Sequence, residues 1–402
     1  VALAACGATE APPPTEAPAP TEAPAEAPEA KTLKIGTLVS LEFPLGVDMQ
    51  KELDALVPVL NEQGGIKVGD EQYQIEIILY DTKLNPETGR AGAERLVFED
   101  EVDFILGDET TDAWLSVTEP EKVLVVSMSP SPAVLDPQFN YVFQAGTITS
   151  GAGAMWGWLA ENHPELKTVV AMFPDDGKGQ AEAGMLEQIA AAYGFELLDV
   201  SFYEPGTSDF STYATHLATL NPDVYTTAAG GPVQDALSMR AMREAGWDGQ
   251  IFLKTTLSPQ KMSEIIDLSL VEGTIAGMAG TTVPEPPPIA QELIDAYTAA
   301  YGTWDSPEVL HVLSFYVLKA ALEEAGSLDV DAVAAAMLAG LEFDSPAGQG
   351  ITASRPDLGN ERATDTVYEA IIGQIVDGEA VVIDTVPMDK VIEYNNKLRG
   401  LE

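Results

Sequence analysis

The chain has 402 residues, 46% of them hydrophobic, and its 64 Asp and Glu against 20 Lys and Arg give a formal charge of −44. Such an excess repels phosphate backbones, which argues against nucleic acid as a partner; its ordinary reading is a solvated acidic surface. A single cysteine excludes an intramolecular disulfide, so the fold must rest on apolar burial.

That cysteine, Cys6, follows Leu3-Ala4-Ala5 and precedes Gly7. Small residues ahead of a lone nucleophilic sulfur suit a signal peptidase and then acylation, and the pattern resembles a bacterial lipobox. Residues 1–6 are therefore expected to be a signal-peptide remnant and lipobox, with Cys6 the lipidated membrane anchor. An ordinary buried cysteine is the alternative, and the polar, proline-punctuated neighbourhood opposes it. Residues 7–30 hold the Thr-Glu-Ala-Pro units Thr9–Pro12, Thr15–Pro18 and Thr21–Pro24, with almost nothing apolar larger than alanine. A segment of this kind cannot bury a core and is predicted to be an extended, disordered tether.

From Leu33 the pattern changes. Strands are predicted at 33–39, 73–80, 102–106, 123–127, 168–173, 196–202, 224–228 and 251–254, with helices at 46–63 and 86–100 and further helices between most of the later strands. This alternation predicts parallel sheets covered on both faces. About 370 residues are too many for one ordinary core, so two lobes and a cleft are expected. Later the rhythm breaks into helices at 288–301, 307–325 and 330–339, followed by a hairpin of 366–376 with 380–386 around Asp377-Gly378-Glu379. Gly64 and Gly65 are predicted to close the first helix, and Asp209 with Ser208 to cap a helix over 210–220.

Several segments then fall in order: LKIG at 33–36, LNEQGGI at 60–66, YDTKLNP at 80–86, FILG at 104–107, VVSMSPS at 125–131 and EPGTSDFSTYATHLATLNPDVY at 204–225. Each is weak alone, but their order and spacing over residues 33–390 resemble the periplasmic type I solute-binding proteins of the leucine/isoleucine/valine-binding family. The resemblance implies an α/β fold of two doubly wound parallel-sheet lobes joined by a hinge. Its N-terminal lobe would comprise 31–146 and 279–345, and its C-terminal lobe 147–278 and 346–395. It also implies a monomeric extracytoplasmic receptor, without cofactor or metal, that passes a small-molecule ligand to ABC permease subunits. A sensor of the same fold, signalling to a membrane partner, stands as the alternative.

In doubly wound sheets ligands lie beyond the carboxyl ends of the strands. Three groups of loop residues are candidates there. Thr110 and Thr111 could seat a carboxylate with free backbone N–H groups, or Thr111 or Asp112 could merely cap a helix. Ser129 and Ser131 match family positions that hold the ligand's carboxylate and amino group, although Pro130 and Pro132 could be there only to fix the turn. From the second lobe come Lys178, Gly231, Lys254 and Thr256. Here the chain departs from the family: Lys178 stands where a tyrosine is usual and Thr256 where an acid often holds the ammonium. Two lysines would suit a second carboxylate or another anion. Phe43 and Trp114 could supply an apolar wall or belong to the core.

Enzyme signatures do not emerge. The sequence lacks a Gly-x-Ser-x-Gly elbow, a His-Glu-x-x-His helix and a Walker A loop, and Gly151, Gly153 and Gly157 miss dinucleotide spacing by one residue. His163, His216 and His311 show no zinc-ligand spacing and read as surface or helix residues. A binding protein rather than an enzyme is expected.

Overall fold

Strand β1 (Lys31–Val39) lies at the centre of a six-stranded sheet ordered β2-β3-β1-β4-β5-β6, with β2 Ile66–Val68, β3 Glu71–Asp81, β4 Phe104–Gly107, β5 Leu124–Ser127 and β6 Val142–Gln144. All its pairings are parallel except the short hairpin of β2 with β3. The chain is described by a computed structural model covering Val1 and residues 31–146, 148–256, 259–305 and 309–401. Cys6 and the expected tether lie outside the described residues.

The second sheet has seven strands in the order β16-β15-β11-β10-β9-β7-β8. They are β7 (Thr168–Pro174), β8 (Glu196–Tyr203), β9 (Val224–Thr227), β10 (Gln250–Thr256), β11 (Ile275–Met278), β15 (Ala370–Val376) and β16 (Glu379–Val386). Strands β7 to β11 pair in parallel, and the last two add an antiparallel edge. Central strands such as Phe104-Ile105-Leu106-Gly107 are buried at every position because helices cover both faces, so they read as apolar runs without alternation.

Each sheet has two cores. In the first lobe, helix Pro44–Glu62 contributes Met49, Leu53 and Leu56 to one face, while helix Pro86–Phe98 sends Ala93 and Leu96 to the other, beside Trp114. In the second, helix Gly177–Tyr193 brings Leu186 and Ile189 to one face and helix Pro232–Glu244 brings Ala236 and Met239 to the other. The two-lobed doubly wound class expected from the sequence is the one observed. Among the described residues no helix is long and apolar enough to cross a membrane.

The chain passes between the lobes after Gln144, again between Met278 and helix Pro288–Tyr301, and a third time at Glu369. Strands β12 (Glu342–Ser345), β13 (Gly348–Arg355) and β14 (Asn360–Tyr368) form a separate antiparallel sheet at this junction. Phe343 packs in the first lobe's core and Val367 in the second's. Tyr368 donates its hydroxyl to the Ala145 carbonyl, tying two crossings together.

Local expectations fared unevenly. The apolar run 366–376 is not one strand: it breaks at Glu369, β14 belonging to the junction and only β15 pairing with β16. Asp377 (φ 54°) and Gly378 (φ 78°) close that hairpin, both in the left-handed region that a two-residue turn requires. The helix expected from 307 begins at Leu313. Asp209 accepts the Ser211 amide (2.9 Å) at the start of helix Ser211–Thr219. After the first helix Gly65 takes φ 80° and its amide reaches the Leu60 carbonyl at 2.8 Å, as a left-handed stop does.

Candidate ligand-binding cleft

Strands β1 and β4 are neighbours whose following segments leave to opposite faces of the first sheet, and β7 and β9 do the same in the second. At such a reversal a crevice opens beyond the strand ends. The candidate first wall comprises residues 40–43, 108–111 and 127–131, and the candidate second wall residues 175–176 and 228–231 with Lys178, at the start of helix Gly177–Tyr193, and Lys254. The walls face each other: the Lys178 ammonium lies 5.4 Å from the centre of the Phe43 ring.

The first wall's hydroxyls are engaged within the wall. Ser127 Oγ accepts the Ser129 amide (3.0 Å), Ser129 Oγ accepts the Ser131 amide (3.3 Å), and Ser131 Oγ accepts the Ala133 amide (3.3 Å). The fully buried Ser129 also donates its hydroxyl to the Glu109 carbonyl at 3.3 Å, while the Gln144 side chain donates to the Ser129 carbonyl. Serine at every second position thus ties the loop to its own backbone as a series of Ser-type turns.

Around Asp108 the same economy holds. Thr110 donates to its Oδ1 (2.6 Å), Thr82 donates to the other oxygen, and Thr111 bonds the Asp108 carbonyl (2.6 Å). The Trp114 indole donates to Thr110 Oγ1 at 3.2 Å, and Trp114 is fully buried, so it is a core residue and not a cleft wall. Neither Thr111 nor Asp112 makes a cap: the turn Thr111–Ala113 has no side-chain cap bond. Burial holds the Asp108 carboxyl above the usual carboxylate range, against the pull of these hydroxyl bonds.

His311 corrects the expectation of a surface or helix histidine. It is 1% exposed, sits just ahead of helix Leu313–Ala325, and places Nε2 3.0 Å from Glu109 Oε1. Its ring lies 6.4 Å from that of Phe43, which is half-buried. The other two histidines pair outside the cleft, His163 with Glu165 and His216 with Asp199. Neither Glu109 nor His311 carried a sequence signal, because the pair is made across 202 positions of chain.

On the second wall, Asp176 Oδ1 accepts the amides of Lys178 and Gly179 (both 2.9 Å) and so starts helix Gly177–Tyr193. Gly179 is required there, since a Cβ would fall 1.9 Å from the Pro174 carbonyl oxygen. Gly231, at φ 83°, turns the chain into helix Pro232–Glu244. Lys254 does not offer a free cation: its ammonium lies 2.9 Å from Glu182 Oε2, with side chains only 6% and 16% exposed. This ion pair weakens the case for two lysines receiving an anion, because one of them is already neutralised. Next to it, Asp235 accepts the Thr227 hydroxyl at 3.0 Å; burial, reinforced by the charge of Glu182, pushes its carboxyl up to about 7. The Thr256 side chain lies outside the described residues.

Two doubly wound lobes with facing crevices at their chain reversals define a two-lobed solute receptor. The chain belongs to the periplasmic binding protein family, whose sequence profile matches residues 32–369. Among solved structures it is similar to a branched-chain amino acid ABC transporter periplasmic ligand-binding protein from Burkholderia xenovorans LB400, with TM-score 0.70 and 15% identity over 90% of this chain and 96% of that one. It is also similar to an ABC transporter solute-binding protein from Rhodopseudomonas palustris BisB5 in complex with 3,4-dihydroxybenzoic acid (TM-score 0.66, 19% identity, 89% and 98% covered). A third is the branched-chain amino acid transporter substrate-binding protein LivJ from Streptococcus pneumoniae in complex with isoleucine (TM-score 0.65, 18% identity, 89% and 99% covered).

Proposed function

We propose that this chain is an extracytoplasmic receptor, held to the membrane by a lipid on Cys6, that closes its lobes on a small polar molecule and delivers it to an ABC permease. The lobes are taken as 31–146 with 279–345 and 147–278 with 346–395, and the receptor acts as a monomer without cofactor. The observation that carries this reading is the approach of Lys178 in one crevice to Phe43 in the other, which lets one guest touch both walls. A guest in contact with both lobes favours the closed form by the contacts that one lobe alone lacks. Ser129, Ser131, Thr110, Thr111 and Phe43 are assigned to the first wall, and Lys178, Gly231, Lys254 and Thr256 to the second. Relatives of the same fold in complex with isoleucine and with dihydroxybenzoate support a small amino acid, amide or carboxylate as guest.

The test is a thermal-shift screen over these classes on the wild type and on Ser131→Trp. A binder at about 100 times its Kd adds roughly 2.7 kcal/mol to the folded state. The substitution should leave the ligand-free melting temperature within a few degrees and abolish the ligand-induced rise. An unchanged rise would remove the cleft from the reading. Retention of the Cys6→Ala protein in the membrane fraction would remove the anchor.

A further inference from the structure

Hydrogen-bond supply and demand are unequal in the cleft. Thr110, Thr111 and Ser129 donate their hydroxyls within the first wall, Ser127 and Ser131 accept amides there, and Lys254 is held by Glu182. What stands out on the first wall is a buried acceptor without a donor. Glu109 gives Oε1 to His311, whereas its buried Oε2 has no partner. His311 Nδ1 is likewise buried without a partner in a residue 1% exposed. Buried acceptors left unmatched are costly, and a carboxylate is the costliest of them.

We infer that Glu109 is the specificity-determining residue of the cleft and that it receives a protonated amine of the ligand on Oε2, with His311 as the positioning residue that holds the carboxylate. This rests on the cleft being the ligand site. An anionic head group would face the Glu109 carboxylate, and Lys178 is exposed and lies over the Phe43 ring. An ammonium brings three donors and a charge of the right sign. The Ser129 hydroxyl bond to the Glu109 carbonyl and the His311 bond to its side chain fix both ends of the residue, so the acceptor is in place before the ligand arrives. The ligand class is therefore defined by its amine, and a carboxylate is not required of it.

The experiment is isothermal titration calorimetry of the full chain with two matched series: leucine, 4-methylpentanoate and 3-methylbutylamine; then phenylalanine, 3-phenylpropanoate and 2-phenylethylamine. Members that keep the amine should bind, and the deaminated acids should bind at least about tenfold more weakly or not at all, as loss of one charged hydrogen bond implies. Glu109→Gln should weaken the amine-bearing members by about tenfold or more without weakening the acids, while His311→Ala should weaken the amines less. The ligand series on the wild type decides between amine and acid even if a variant does not fold. Deaminated acids binding as tightly as their amines, or Glu109→Gln binding amines unchanged, overturns the assignment of Glu109 and leaves the receptor reading intact. No heat from either series overturns the assignment of Glu109 and leaves the receptor reading to the thermal-shift screen.

Discussion

On the first wall, Thr110, Thr111, Ser127, Ser129 and Ser131 bond the Asp108 carboxyl and the local backbone, whereas the second wall depends on the Lys254–Glu182 ion pair beside the high-pKa Asp235. One surface is held by many small, local links, and the other by a few charges whose strength depends on their seclusion from water. Damage should therefore be distributed differently in the two lobes. Removing a hydroxyl strands one or two partners, while removing one charge leaves its counter-charge in an apolar surround with Trp156 and Phe173.

Lys254→Met should break this comparison most severely. With Glu182 left unpaired, the protein is expected to lose about 3 kcal/mol, read as the shift in urea midpoint at constant slope. A loss no larger than that from Lys122→Ala, which opens the exposed Lys122–Asp331 pair (59% and 58% exposed), would show that the second wall is not charge-dependent. Thr110→Val comes next. It deprives both Asp108 and the Trp114 indole of a buried partner and should cost about 1–2 kcal/mol by the same measurement; a neutral result would mean that the first wall's bonds are dispensable.

Asp235→Asn is the most specific. The wild-type carboxyl titrates near 7 when folded and near about 4 when unfolded, so the native state binds more protons between those values. Stability from this group is present at low pH and falls as pH rises through 7. The melting temperature of the variant relative to wild type should thus be several degrees more favourable at pH 8 than at pH 5. An equal difference at both pH values would place the Asp235 titration elsewhere.

The fold was legible because burial on both faces writes itself into the sequence: Val125-Val126 and Phe104-Ile105-Leu106 have no polar face to confuse the reading. Short strands were missed where the signal is tertiary. Strand β6 is three residues long and β12 is Glu-Phe-Asp-Ser, whose place is set by pairing with β13 and not by its own propensity. The strand ends could be located: Phe43 and Ser129 follow β1 and β5, and Lys178 lies in the first turn of the helix after β7. The state of each side chain could not be read. That Lys254 is neutralised depends on Glu182, 72 positions earlier, and that His311 is buried depends on Glu109 across the fold. Charge pairing between distant elements leaves no periodicity.

The three passages of the chain between lobes bear on how the protein is made. By Gln144 all strands of the first sheet have left the ribosome, yet Leu293, Val312, Phe315, Leu318 and Leu322, which complete one of its two cores, are translated only after most of the second lobe. Until then that face of the sheet is covered only in part, by helix Pro44–Glu62, and a partly synthesised chain is a client for chaperones that hold such surfaces.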